Sequence, residues 1–424
     1  MKKGYNMIIH DEIAKATIEN VRSSLMRHMP ASPQRDYYLW GISKANPFRD
    51  DFLQMVGIYQ LINLSSQMIG DLIEPENSST VAQYCGRINA YFVYEIMSDN
   101  LANGLSSLCV VDENASLRRD ILHTFNNVMV GRLKGEHNAT AELLKPIEEL
   151  TRNISFFAQS MTPRKHQVCL DAYLAQHPKA PHKDIEYGIW PILVANIESC
   201  YELAEYMSHF QVGELLTQGF IDRYQSVNRT LDVDRGLPLD ELVRMGMHTA
   251  SVGPVLAYFA GVLTEIIGGE PKLGLVLQDG TLADAVMTSS VIVRLVNDVG
   301  MLLMLSESER KIVMDNLRRH HQENEADITA IDYMLMSAPD EYAMLTRLQK
   351  DLMHGEFNIA LHNLAYSDTI EEALALVENN LANLSELYYR SQTHLHDLLA
   401  SIDRRITNRT LSNLIAGFVR FHEM

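Results

Sequence analysis

Along most of the chain, apolar residues return at i, i+3, i+4 and i+7, while alternating β-branched runs are scarce. That period gathers apolar side chains on one face of a helix. It predicts helices over 51–73, 80–108, 117–133, 141–160, 185–210, 239–267, 282–305, 369–401 and 408–422. Pro, Gly and Asn interrupt the period at 31–33, 75–79, 131–138, 177–182, 234–238, 268–273 and 279–281. None of these breaks is long enough to read as an interdomain linker, and no internal repeat is present. The expectation is an all-α fold forming one large helical domain over 1–424. The charge-dense stretch 311–327, containing RRHHQENEAD, reads as a solvated face or a surface insertion.

Composition narrows the function classes. A chain of 424 residues buries a sizeable core without staples. Its 54 acidic and 36 basic residues give a net charge of -18, which repels a phosphate backbone and argues against a nucleic-acid partner. Cys85, Cys109, Cys169 and Cys200 lie 24, 60 and 31 residues apart, with no CxxC spacing. They read as buried thiols of a reducing compartment. The opening MKKGYNMIIHDEIAK has too short an apolar run for a signal peptide, and no stretch reaches the roughly 18 apolar residues of a membrane span. The expected location is the cytoplasm.

Candidate chemistry centres on 282–311, LADAVMTSSVIVRLVNDVGMLLMLSESERK, where Asn297 and Asp298 stand side by side on an otherwise apolar helix. Burying such groups costs several kcal/mol unless they are hydrogen-bonded or bind an ion. Both readings stay open: a pair satisfied by neighbouring helices, or an ion site. Upstream, GLPLDELVRMGMHTASVGPVLAYFAG (236–261) carries Arg244 and the breakers Ser251, Gly253 and Pro254. Earlier still, YQLINLSSQMIGDLIEPENSS places Asp71, Glu74 and Asn77 three residues apart, on adjacent turns if the helix continues. Asp50-Asp51 and Asp112-Glu113 are weaker acidic alternatives. Glu202, Glu205 and His209, with His394, His396 and Asp397 later, are the residue types from which helical bundles build di-iron sites.

RLVNDVG resembles the second metal motif of class I terpene synthases, in which a helical face of Asn, Ser or Thr, and Glu holds a divalent cation against a substrate diphosphate. The plus-four and plus-eight positions here are Met301 and Leu305, which offer no oxygen ligand. Segment 236–261 resembles the family's Pro-led helix with a diphosphate-sensing arginine, which unwinds near small residues. HGEFNIALHNLAYSDTIEEALALVENNLANLSELYYR (354–390) resembles the stretch that follows, with Asp368, Glu371 and Glu372 as a capping arrangement, and Arg420-Phe421 resembles the terminal Arg-Tyr pair that reaches the diphosphate. The resemblance covers 236–424, and more loosely 51–135, with insertions near 136–184 and 311–353.

It implies a bundle of the class I terpenoid synthase or trans-prenyltransferase type. It implies Mg²⁺ held by Asn297, Asp298, Asp71 and Glu74, with Arg244 and Arg420 as the catalytic cations. The implied reaction is ionisation and cyclisation of a linear isoprenoid diphosphate with loss of diphosphate. The eroded ligands also raise a metal-independent cyclisation, condensation or ligand-binding role, and a chain-elongating prenyltransferase is a third reading. Homodimers are common in that fold, although no residue here identifies an interface.

Overall fold

A computed structural model describes residues 2–106, 114–160, 162–233, 236–270, 272–323, 328–336, 345–406 and 408–424. Every regular element among them is helical, as the apolar period requires. No described helix is long and apolar enough to cross a membrane. The chain divides into two compact units, one of residues 1–102, 116–221 and 258–271, the other of 103–115, 222–257 and 272–424. They are taken in turn.

The first unit is organised by α1 (Lys2–His28), α2 (Ser78–Asp99) and α3 (Ile189–Met207), with α2 packed against both of the others. Helix α1 buries Ile9, Ile13, Ala16, Val21 and Leu25 among many charged residues, a thin stripe that the apolar period did not mark. Its approach to α2 is close. A Cβ at Gly86 would lie 2.6 Å from the Ala16 carbonyl oxygen, so glycine is what this crossing requires. Asn89 of α2 stitches the packing by donating to Thr17 Oγ1 at 3.0 Å and accepting from Ser65 Oγ at 3.1 Å.

Two expected helices are divided. The 51–73 segment forms Arg49–Met55 and Ile58–Ile69, separated at Gly57 with φ 76°. The 141–160 segment forms three short helices, Thr140–Leu143, Lys145–Thr151 and Phe156–Gln159. Cys85, Cys169 and Cys200 are buried and form no disulfide among the described residues, while Cys109 lies outside them.

The second unit holds α4 (Leu239–Gly246), the part of α5 (Val252–Ala260) up to Ala257, and α6 (Thr281–Val299), which packs against α7 (Thr346–His354), α8 (Ile370–Arg405) and α9 (Thr410–Glu423). Helix α8 opens with a reciprocal cap. Thr369 Oγ1 accepts from the Glu372 amide at 3.2 Å, and the Glu372 carboxylate accepts from the Asp368 amide at 3.0 Å. The cap residue is therefore Thr369 rather than Asp368. Its buried stripe of Ile370, Leu374, Val377, Leu381, Leu384 and Tyr388 follows the helical period, which made this element easy to place.

The single helix expected over 239–267 unwinds between Gly246 and Val252, where Ser251 takes φ 55°. Of the breakers named from the sequence, Ser251 lies in this break, whereas Gly253 and Pro254 lie in the first turn of α5. The helix expected over 282–305 also breaks, at Gly300 with φ 81° and ψ 150°. Met301–Leu305 is a separate helical turn, so residues 297, 301 and 305 do not continue one helical face.

Candidate functional site

Helix α6 is set by its ends. Asp279 Oδ1 accepts from the Thr281 amide at 3.0 Å and from the Thr281 hydroxyl at 2.7 Å, starting the helix after Gly280. Gly300 stops it immediately after the Asn297-Asp298 pair. Ile292, Val293, Leu295, Val296 and Val299 are buried around the pair, so any charge here is taken out of water.

Asp298 is 2% exposed, and both of its carboxylate oxygens are engaged. Oδ1 lies 2.8 Å from Arg294 Nη2, one turn earlier on α6, and Oδ2 accepts from the Ile359 amide at 2.8 Å. The Asp298 carbonyl accepts from Asn358 Nδ2 at 2.9 Å. Arg294 itself donates from Nη1 to Thr249 Oγ1 at 2.9 Å and from Nη2 to the Phe357 carbonyl at 2.6 Å, with its guanidinium over the Phe357 ring. One cation thus ties the unwound segment between α4 and α5 to α6 and to the loop after α7.

Gly246 makes room for this clamp. A Cβ there would stand 3.0 Å from Ile359 and 3.3 Å from Arg294 Nε. Asn358 completes the arrangement by donating to Asp351 Oδ2 at 2.7 Å and accepting from the Ala360 amide at 2.9 Å. Asn380 of α8 then donates to the Ala360 carbonyl at 2.9 Å.

Burial raises the Asp298 carboxyl from its ordinary range, and the Arg294 charge opposes that rise. Asp351 is pushed up to about 7, first by burial and then by the negative charge of Asp298, with the Asn358 hydrogen bond acting against both.

The other sequence candidates are placed as follows. Asn297 is half-buried and its side chain makes no hydrogen bond among the described residues. Arg244 is exposed and turns back along α4 to Asp240, at 2.6 Å. Arg420 is exposed on α9, with Nε 3.3 Å from the Ala416 carbonyl of its own helix. Asp71 and Glu74, in the first unit, are exposed. The helix Ile58–Ile69 ends before them and Glu74 is extended, so the helical face expected for Asp71, Glu74 and Asn77 is not formed. Asp50 accepts from the Tyr59 hydroxyl at 2.7 Å, and Asp51 lies 3.3 Å from Lys165. Asp112 and Glu113 lie outside the described residues.

Of the di-iron set, Glu202 is held by Arg27 and His28, and α3 ends at Met207, before His209. His394, His396 and Asp397 are exposed on α8.

Magnesium favours near-octahedral oxygen ligation. The Asp298 oxygens are occupied by a guanidinium and an amide, and Asn297 is the one uncommitted oxygen donor of the pair. No group of three His, Cys, Asp or Glu side chains suited to a metal is gathered among the described residues. As placed, Asn297 and Asp298 do not fit the implied Mg²⁺ site.

Arg294, Asp351 and Asn358 were not marked from the sequence. Arg294-x-x-x-Asp298 is a readable i,i+4 pair, whereas Asp351 and Asn358 are joined to it only through tertiary packing. No family model, no curated protein and no solved structure matches the chain.

Proposed function

We propose that the second unit is a terpene-synthase-like helical framework whose Asn-Asp position serves as an internal clamp, and that the protein binds an isoprenoid-like apolar ligand without metal-driven ionisation. The observation that carries this reading is the double engagement of Asp298 by Arg294 and the Ile359 amide at 2.8 Å each. Freeing either oxygen for a cation would leave a buried guanidinium or a buried amide without its partner, at a cost of several kcal/mol. The substitution of ligand types by Met301 and Leu305 acts in the same direction. A cleft of about 640 Å³ in this unit, lined by Leu335, Leu352, Leu364 and Ile370 beside the polar Asp332 and Asp368, offers apolar surface to a hydrocarbon chain.

A second reading, Mg²⁺-dependent ionisation and cyclisation of a prenyl diphosphate, is favoured by the unwound segment between α4 and α5. There Ser251 takes φ 55° and interrupts the helix, in the region where the family's helix unwinds to aim carbonyls at a carbocation. The two separate in one experiment. The purified chain is incubated with ten-, fifteen- and twenty-carbon prenyl diphosphates, with Mg²⁺ and with chelator, and products are read by mass spectrometry. The clamp reading expects no Mg²⁺-dependent cyclic product. Cyclic products that vanish on chelation and in Asn297→Ala would establish the second reading in its place. Consumption of a five-carbon diphosphate to give a longer chain would point to a prenyltransferase.

A further inference from the structure

In the first unit, α1, α2 and α3 border a polar cavity of about 210 Å³ that opens to solvent, lined among others by the exposed Ser23 and Arg27 and by Ser24, His28, Arg87 and Glu202. One wall is a closed chain of hydrogen bonds. The Tyr94 hydroxyl donates to Ser24 Oγ at 3.1 Å, and Ser24 Oγ lies 2.9 Å from His28 Nδ1. His28 Nε2 reaches Glu202 Oε2 at 2.5 Å, and Arg27 Nη1 stands 2.9 Å from Glu202 Oε1. With the imidazole proton on Nε2, every group in this chain has a partner and the charge of Arg27 is matched by Glu202. His28 is kept from protonating foremost by burial, so the chain adds no second cation at neutral pH.

Arg87 is what remains. Its guanidinium carbon lies 3.9 Å from the centre of the Tyr206 ring, a cation–π contact. No carboxylate, carbonyl or hydroxyl accepts from its N–H edge among the described residues. Ser23, on the same cavity, also makes no hydrogen bond among them. A half-buried guanidinium that is stacked on a ring and unpaired among the described residues recognises an oxyanion through its donor edge.

We propose that this cavity is a binding site for a small oxyanion, a carboxylate or a phosphate, held by the edge of Arg87 with the Ser23 hydroxyl as a second donor. Tyr206 packs against the cation, and the Tyr94–Ser24–His28–Glu202 chain keeps the neighbouring wall neutral and rigid. The proposal is independent of the function assigned to the second unit.

Calorimetric titration of the full chain at low ionic strength, with inorganic phosphate in one arm and succinate in the other, tests it and separates the two sources. Saturable one-to-one binding is expected in at least one arm, weakened about tenfold or more in Arg87→Gln, as loss of a charge-assisted hydrogen bond requires. Ser23→Asp puts a carboxylate on the wall of the same cavity and keeps the guanidinium. It is expected to abolish binding while melting at or above the wild-type temperature. Lys44→Gln, an exposed change elsewhere in the unit, should bind as wild type. Absence of binding in both arms, or wild-type affinity in both Arg87→Gln and Ser23→Asp, would overturn the proposal.

Discussion

Each unit holds a charged network among its helices, buried around Asp298 in the second and partly open to solvent at Arg27 and Glu202 in the first, and the networks end differently. In the second unit the charge of Asp298 is answered within the fold by Arg294, the Ile359 amide and the surrounding Asn358 hydrogen bonds. In the first unit Arg27, His28 and Glu202 answer one another, but Arg87 keeps an edge on a cavity that no described residue pairs. A polar residue on a buried helix is therefore not by itself a site. What separates scaffold from site is whether each donor and acceptor has found a partner inside the protein. By that criterion Asp298 is architecture, Asn297 keeps its side chain unpaired among the described residues, and Arg87, which no motif marks, is the anchor of the proposed oxyanion site.

The largest expected effect comes from breaking the enclosed network. Asp298→Ala leaves the Arg294 guanidinium buried without its carboxylate and should cost about 3–5 kcal/mol of stability, measured by denaturant unfolding. A loss below about 1 kcal/mol would show that the carboxylate is not structural.

A smaller, pH-dependent effect concerns Asp351. Its folded carboxyl is raised to about 7, against about 3.9 for an unfolded aspartate, so the native state holds this proton more tightly than the unfolded chain does. The stabilisation is complete below about pH 4 and is lost as pH rises through about 7. Asp351→Asn keeps an oxygen facing Asn358 and has no carboxyl to ionise. Melting temperatures of wild type and variant from pH 5 to 8 should diverge with rising pH, the variant gaining relative to wild type. A constant difference would contradict the assignment.

The fold was legible where the apolar period was strong. Helix α8, with its dense buried stripe, is expected over 369–401 and found at Ile370–Arg405, and α6 starts where expected but stops short of 305; α1 escapes the pattern because Ile9, Ile13 and Leu25 are spread among charged residues. The breaks at Gly57 and Gly300 were not anticipated, because the apolar pattern runs on through both while the backbone at each takes a positive φ. Asn297 and Asp298 drew notice because two polar residues on an apolar helix demand an explanation. Their actual partners could not be read from spacing, apart from Arg294 at i−4, since Ile359, Asn358 and Asp351 arrive through tertiary packing. Arg87 carried no local signal at all. Its significance arises from the ring of Tyr206, more than a hundred positions away, and from the lack of a carboxylate beside it among the described residues.

The smallest effect should come from the exposed cation. Arg244 pairs with Asp240 at the surface, both side chains more than half exposed, and Arg244→Ala should change stability by no more than about 0.5 kcal/mol. A loss well beyond that, in the same unfolding assay, would place Arg244 in a role that its surface pairing does not suggest.

The central claim, that Asp298 spends its carboxylate on Arg294 rather than on a cation, is tested most directly by a double-mutant cycle. Wild type, Arg294→Ala, Asp298→Ala and the double variant are unfolded with and without Mg²⁺. The expected result is a coupling energy of roughly 2–3 kcal/mol between the two residues, the same in both conditions, with wild-type stability unchanged by Mg²⁺. A coupling near zero, together with a Mg²⁺-dependent gain in wild-type stability that disappears in Asp298→Ala, would contradict it.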